Sequence, residues 1–168
     1  MCDLDKQAIG HAARTTAAAM ASLLVARACR LPEAYWAVIT TIVVMQSTVG
    51  AAVLISTRRL AGTALGAAMG ALLATYFGPN VLAFGAGLFL LGVICAALGR
   101  VYRHLQEHLD RTAYRFAGIT LAITMLVVRP DAAWIVAVHR FLEVSIGIAV
   151  GLIVTVLWPE RQPPVATR

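Results

Sequence analysis

Apolar residues run along this chain in six long stretches separated by short polar or turn-forming connections. The stretches are Ala12–Ala28, Tyr35–Ile55, Leu60–Phe77, Val81–Leu98, Ala113–Val128 and Ala132–Trp158. Each reaches or approaches the ~20 apolar residues that a helix needs to cross a hydrocarbon core. The pattern predicts an all-α integral membrane protein with six transmembrane helices. It forms one six-helix domain over residues 1–168, with short tails at 1–10 and 159–168. Pro32 stands before the second stretch, and Gly78-Pro79-Asn80 reads as a tight turn between the third and fourth. Tyr35, Trp36, Tyr76, Phe77 and Trp134 fall at one predicted boundary, and Tyr102, Tyr114 and Trp158 at the other. Amphipathic rings collect at headgroup level in this way.

Composition changes the picture only by excluding a soluble chain. The sequence is 60% hydrophobic and 13% charged, with a mean hydropathy of +0.81, against about a quarter charged in a soluble domain. A net charge of +6 would suggest nucleic acid as a partner in a soluble protein. Here the basic residues sort by side of the membrane and form no basic face, so no nucleic-acid partner is expected. With the N-terminus inside, ten lie on the inner side: Lys6, Arg14, Arg58, Arg59, Arg100, Arg103, Arg111, Arg115, Arg161 and Arg168. The other four, Arg27, Arg30, Arg129 and Arg140, lie outside or a little way into the outer half of the bilayer. This positive-inside bias places both termini in the cytoplasm.

The first stretch reads as a retained span, because Asp3 and Asp5 precede it and no small-x-small cleavage site follows. Val25-Ala26-Arg27-Ala28-Cys29 has the outline of a lipoprotein site, but Arg27 argues against it. Cys2, Cys29 and Cys95 have no paired spacing and read as small packing residues rather than a disulfide or metal set.

Two places depart from plain apolar helix. Between the fourth and fifth stretches, Val101, Leu105 and Leu109 recur every four residues among charges, as in a short amphipathic helix on the cytoplasmic surface. His104 and His108 are one turn apart there, but that spacing alone does not make a metal site, and none is expected. In the second stretch, Gln46-Ser47-Thr48 interrupts the apolar run with Gly50 just after. Either these side chains bond a neighbouring helix, or the helix opens and lends backbone groups to a cavity.

Glycines add a packing signal. Gly62, Gly66 and Gly70 repeat every four residues, as do Gly147 and Gly151, forming stripes that let helix backbones approach closely. The halves also echo each other. Ile39-Thr40 and Met45 match Ile119-Thr120 and Met125 at an offset of 80, while Arg59, Gly66 and Gly70 match Arg140, Gly147 and Gly151 at an offset of 81. Three spans per half would make the second half inverted, a 3+3 repeat of the kind secondary transporters use. Chance likeness among apolar helices is the other reading.

The densest chemistry is His139-Arg140-Phe141-Leu142-Glu143, well inside the sixth stretch. Each ionised group there costs ~2.5–3.5 kcal/mol on the insertion scale unless it is paired or faces water. Arg140 and Glu143 are three residues apart, and His139 and Glu143 four, so all three share a neighbouring face. They form either a neutralised structural pair or an anion site in which Arg140 attracts the ligand while Glu143 and His139 hold Arg140 in place or carry a proton. Arg14, Trp36 and Gln46 are further lining candidates. No Gly-x-x-x-x-Gly-Lys-Ser/Thr loop and no His-Glu-x-x-His motif occurs, so neither an ATPase nor another enzyme is expected, and no cofactor is called for.

Several of these runs together resemble a known family. They are Tyr35-Trp36-Ala37-Val38-Ile39-Thr40, Gln46-Ser47-Thr48-Val49-Gly50-Ala51 and Arg59-Leu60-Ala61-Gly62-Thr63-Ala64-Leu65-Gly66, then Tyr114-Arg115-Phe116-Ala117-Gly118 and His139-Arg140-Phe141-Leu142-Glu143-Val144 with Gly147. All six stretches are similar to the membrane domain of the fusaric acid resistance/aromatic acid exporter (FUSC) family, and Arg-x-x-Gly-Thr-x-x-Gly is the most specific piece. The resemblance implies efflux of aromatic carboxylic acids and related weak acids across the inner membrane of a bacterium. It also implies a distant similarity to plant malate channels, which are dimers of six-span subunits. Larger members have a soluble domain and a second membrane half, so a homodimer is expected to rebuild the two-half arrangement. An exporter of small organic anions, a passive anion channel and a non-transporting scaffold or partner subunit are the functions left open.

Overall fold

In the computed structural model, residues 2–46, 48–101, 111–127 and 131–159 are described, and every regular element among them is helical. The order is α1 (Cys2–Ala28), α2 (Tyr35–Val44), α3 (Val49–Phe77), α4 (Val81–Val101), α5 (Arg111–Leu126) and α6 (Ala133–Leu157). Three of them, α3, α4 and α6, are long and apolar enough to cross a membrane. The amphipathic surface helix expected around Leu105 and Leu109, with His104 and His108, lies outside the described residues.

The ends of the helices follow from local chemistry. After α1, Arg30 takes a left-handed conformation at φ 56°. Its N–H donates to the carbonyl of Arg27 at 2.9 Å, and Leu31 N–H donates to that of Ala26 at 3.1 Å. This pair of bonds is a Schellman motif, and Leu31 packs against the cluster that contains Ala26. Gly78, at φ 62°, closes α3 by donating to Ala74. Asn80 then caps α4, its Oδ1 accepting from Leu82 N–H at 2.8 Å and Ala83 N–H at 3.2 Å.

Two boundaries differ most from the expected spans. Helix α1 begins at Cys2 rather than near Ala12 and so takes in most of the tail expected at 1–10. The apolar pattern predicts a second span over Tyr35–Ile55, either continuous or opened at Gln46-Ser47-Thr48, with a cytoplasmic connection around Arg58 and Arg59. The helix does open at that polar run, but no connection follows at the two arginines. Instead α2 ends at Val44, Met45 is extended at ψ 105°, and α3 starts at Val49 and continues through both arginines to Phe77. The reason is local. Gln46 Nε2 turns back to donate to the carbonyl of Val43 at 3.2 Å. Thr48 Oγ1 accepts from Ala51 N–H at 3.2 Å and so caps α3. Arginine, by contrast, favours helix and does not break one. Ten residues make α2 about 15 Å long and 29 make α3 about 43 Å.

The helices fall into two compact units, one of Met1–Val53 with Ile146–Arg168 and one of Leu54–Ser145. In the first, Ala26, Ala34 and Ala37 form a core closed by Leu23, Leu31 and Ile146. In it α6 also lies on α2: a Cβ on Gly147 would strike the carbonyl of Ala37, and one on Gly151 would stand 3.3 Å from Val44 Cγ1. Thr41 Oγ1 donates across this contact to the carbonyl of Gly147 at 3.1 Å. Since 147 meets 37 and 151 meets 44, the two helices run parallel. In the second unit, Leu91, Ala117 and Leu121 form the core, and α3 lies on α5 in the same parallel sense. Cβ atoms on Gly62 and Gly66 would strike the carbonyls of Ala113 and Ala117, and one on Gly70 would come within 2.8 Å of Thr124 Cβ. Helix α4 runs antiparallel to α5, with Gly92 against Tyr114 and Gly118 against Leu88.

Candidate functional site

Helix α6 carries the buried ion pair. Arg140 and Glu143 lie over one face of the helix because they are three residues apart. They are 2% and 1% exposed, and Nη1 of Arg140 is 3.5 Å from Oε2 of Glu143. His139 lies about 100° around the helix from Arg140; it is half-buried and, among the described residues, has no bond to either member of the pair.

A second buried guanidinium belongs to the same unit. Arg59, 5% exposed in the middle of α3, lies over the ring of Phe116 with Cζ 4.8 Å from its centroid. This is cation–π geometry. Hydropathy alone places Arg59 in a loop and so misses it as a buried charge. The available signal is the absence of any Gly or Pro between Ala51 and Ala61. Among the described residues, the buried charges of this unit are Arg59, Arg140 and Glu143, two positive and one negative.

Arg14 and Gln46 come together in the other unit, through backbone. Arg14, 1% exposed, donates from Nη2 to the carbonyl of Gln46 at 2.8 Å and from Nη1 to that of Trp158 at 3.1 Å. Those carbonyls stand just past the ends of α2 and α6, where helix carbonyls lack intrahelical donors and the dipole is negative. One guanidinium therefore clamps two parallel helices at their C-terminal ends. The Gln46 side chain is turned onto Val43. Trp36 is half-buried, with its ring 5.5 Å from that of Tyr35.

Among the described residues, the second unit has several cavities. One of about 170 Å³ lies among Gly78, Thr124, Met125 and Asp131. One of about 360 Å³ lies between alanines of α3 and the rings of Trp134 and Phe141 on α6. Another, of about 450 Å³, lies between α4 and α5 and reaches Arg111. Cys29 is exposed and Cys95 buried, both as free thiols. Among the described residues no three His, Cys, Asp or Glu side chains gather as metal ligands.

Comparison with known proteins adds a lineage to this geometry. The model of the fusaric acid resistance protein family matches residues 8–166. Two curated relatives, each named uncharacterized transporter YdhK, come from Escherichia coli K12 and Escherichia coli O157:H7. Both are 31% identical to the chain over 162 residues, covering 93% of it and 23% of their own length. The chain thus spans less than a quarter of the curated relatives it matches. No solved structure matches it.

Proposed function

Because the chain belongs to the fusaric acid resistance protein family, a family of multi-pass membrane proteins, we propose that it serves secondary export of small organic anions, with aromatic carboxylic acids as the substrate class. The observation that carries this reading is the buried Arg140–Glu143 pair, joined in its unit by buried Arg59. Three ionised groups in apolar helices each cost ~2.5–3.5 kcal/mol before pairing. A guanidinium offers the planar fork that reads a carboxylate in bidentate fashion. In this mechanism Arg140 holds the carboxylate, Glu143 orients Arg140 when the anion is absent, and His139 relays a proton.

The reading includes six passes, cytoplasmic termini and an inner-membrane location in a bacterium, with a homodimer as the working unit. Parallel packing of α2 on α6 and of α3 on α5 is what alternating passes demand. An inverted repeat is supported by matched contacts inside the units. Gly66 sits over the Ala117 carbonyl and Gly147 over that of Ala37, and these pairs correspond at the offsets of 81 and 80 seen in the sequence. Gly70 against Thr124 and Gly151 against Val44 correspond in the same way. Secondary transporters place their sites in such repeats.

The test is flux of benzoate into proteoliposomes of the purified chain, with and without an imposed proton gradient. Proton-dependent accumulation is expected. Equilibration without accumulation would make the protein an anion channel, and no flux at all would make it a scaffold or partner subunit.

A further inference from the structure

The groove between α4 and α5 has two chemically distinct ends. Its length is apolar, formed by Phe89, Gly92, Val93 and Ala96 of α4, and its polar end is formed by Arg111 and Tyr114 of α5. At Gly92 the missing side chain lets the Tyr114 ring lie across α4, 3.4 Å from where a Cβ would stand. Phe89 and Val93 are 75% and 48% exposed and so form open walls. The volume, about 450 Å³, is in the ~300–1,000 Å³ range of small-ligand sites.

We propose that this groove binds one anionic phospholipid, its acyl chain along α4 and its phosphate on Arg111. Charge complementarity selects the occupant. An exposed arginine on the side expected to be cytoplasmic, with exposed Arg115 one turn further along α5, attracts a lipid phosphate that a purely apolar groove would ignore. The alanine groove between α3 and α6 has no such charge among its lining residues. Two other occupants fit less well. The connection at 102–110 contains Arg103, Glu107, Asp110 and two histidines, whose entry into hydrocarbon is costly. A second copy packed here about a two-fold axis along the membrane normal would set Arg111 and Arg115 against their own counterparts at the same depth. The inference rests on the chain crossing a membrane and not on which solute it moves.

The test is native mass spectrometry of the delipidated full chain titrated with dioleoylphosphatidylglycerol or dioleoylphosphatidylcholine. One phosphatidylglycerol per chain should be retained in preference to phosphatidylcholine. Arg111→Gln, an exposed site that leaves the packing intact, should weaken that preference by about fivefold, the weight of one headgroup arginine. Arg111→Lys should restore most of it, and Gly92→Leu should fill the groove and remove retention of both lipids. Equal retention of the two lipids, a preference untouched by Arg111→Gln, or chain-to-chain crosslinking through Phe89 and Val93 would overturn the proposal. Retention is read without transport, so loss of benzoate flux with lipid selectivity intact would count against the transport reading alone.

Discussion

Replacing single glycines by alanine separates close helix packing from helix propensity, because the structure assigns different signs to different glycines. Alanine is favoured over glycine inside a helix by ~1 kcal/mol. At Gly85, in α4, an added Cβ meets nothing within 4 Å, so Gly85→Ala should gain up to about that amount. At Gly66 the Cβ would strike the carbonyl oxygen of Ala117 and stand 2.9 Å from both its carbonyl carbon and its Cα. Carbon atoms settle at about 3.5–4.0 Å, and backbone atoms cannot rotate away as a side chain can. Helices α3 and α5 would have to part by on the order of 1 Å, losing contacts along the stripe from Gly62 to Gly70. Overpacking of this kind costs ~1–3 kcal/mol, which outweighs the propensity gain. Gly151→Ala lies between, since its nearest neighbour is the Val44 side chain at 3.3 Å, and should be close to neutral. Unfolding free energies in lipid nanodiscs should therefore rank Gly85→Ala above Gly151→Ala and Gly151→Ala above Gly66→Ala. A Gly66→Ala protein as stable as Gly85→Ala would refute the packing argument.

Other outcomes follow from named contacts. Arg14→Leu removes two charge-assisted bonds of ~1.5–3 kcal/mol each but relieves ~2.5–3.5 kcal/mol of guanidinium burial. The net loss should be ~0–3 kcal/mol, read as faster hydrogen exchange over residues 41–52. Arg14→Lys keeps the buried charge and reaches only one carbonyl well, so it should be no more stable than Arg14→Leu; a lysine variant matching wild type would remove the clamp. Arg30→Gly relaxes a left-handed non-glycine residue and should stabilise by ~1 kcal/mol, measured as a raised melting temperature. Reporter fusions after Trp158 and within Gly78–Asn80 should report opposite sides of the membrane, and a shared side would defeat the six-pass topology.

Much of the fold was legible because hydropathy and turn chemistry agree where they coincide. Val81–Leu98 became α4 from its first residue, after Gly78, Pro79 and Asn80, and the helix runs on to Val101. The break in the second stretch was half legible, because the polar run Gln46-Ser47-Thr48 offered an opened helix as one of two readings. Hydropathy places a connection at Arg58 and Arg59, whereas the chain breaks where Gln46 and Thr48 satisfy the freed backbone groups. Capping chemistry, not charge, decides that boundary. Arg14 shows a different limit. Its two acceptors lie 32 and 144 residues along the chain, so no local pattern could connect them. The glycine spacing marks a packing face, but which helix lies on it is a tertiary fact. His104 and His108 fall outside the described residues.

Arg140 is the residue on which anion export depends, and the most direct measurement is benzoate flux in proteoliposomes of the double variant Arg140→Leu, Glu143→Leu. This change removes both charges together, so neither is left alone in an apolar helix and the fold should survive. Circular dichroism and size exclusion should match wild type. If Arg140 reads the carboxylate, flux should fall at least about tenfold, equivalent to ~1.4 kcal/mol, and Arg140→Lys should fall between the double variant and wild type. A folded double variant that moves benzoate at the wild-type rate would make the pair structural and contradict the proposed site.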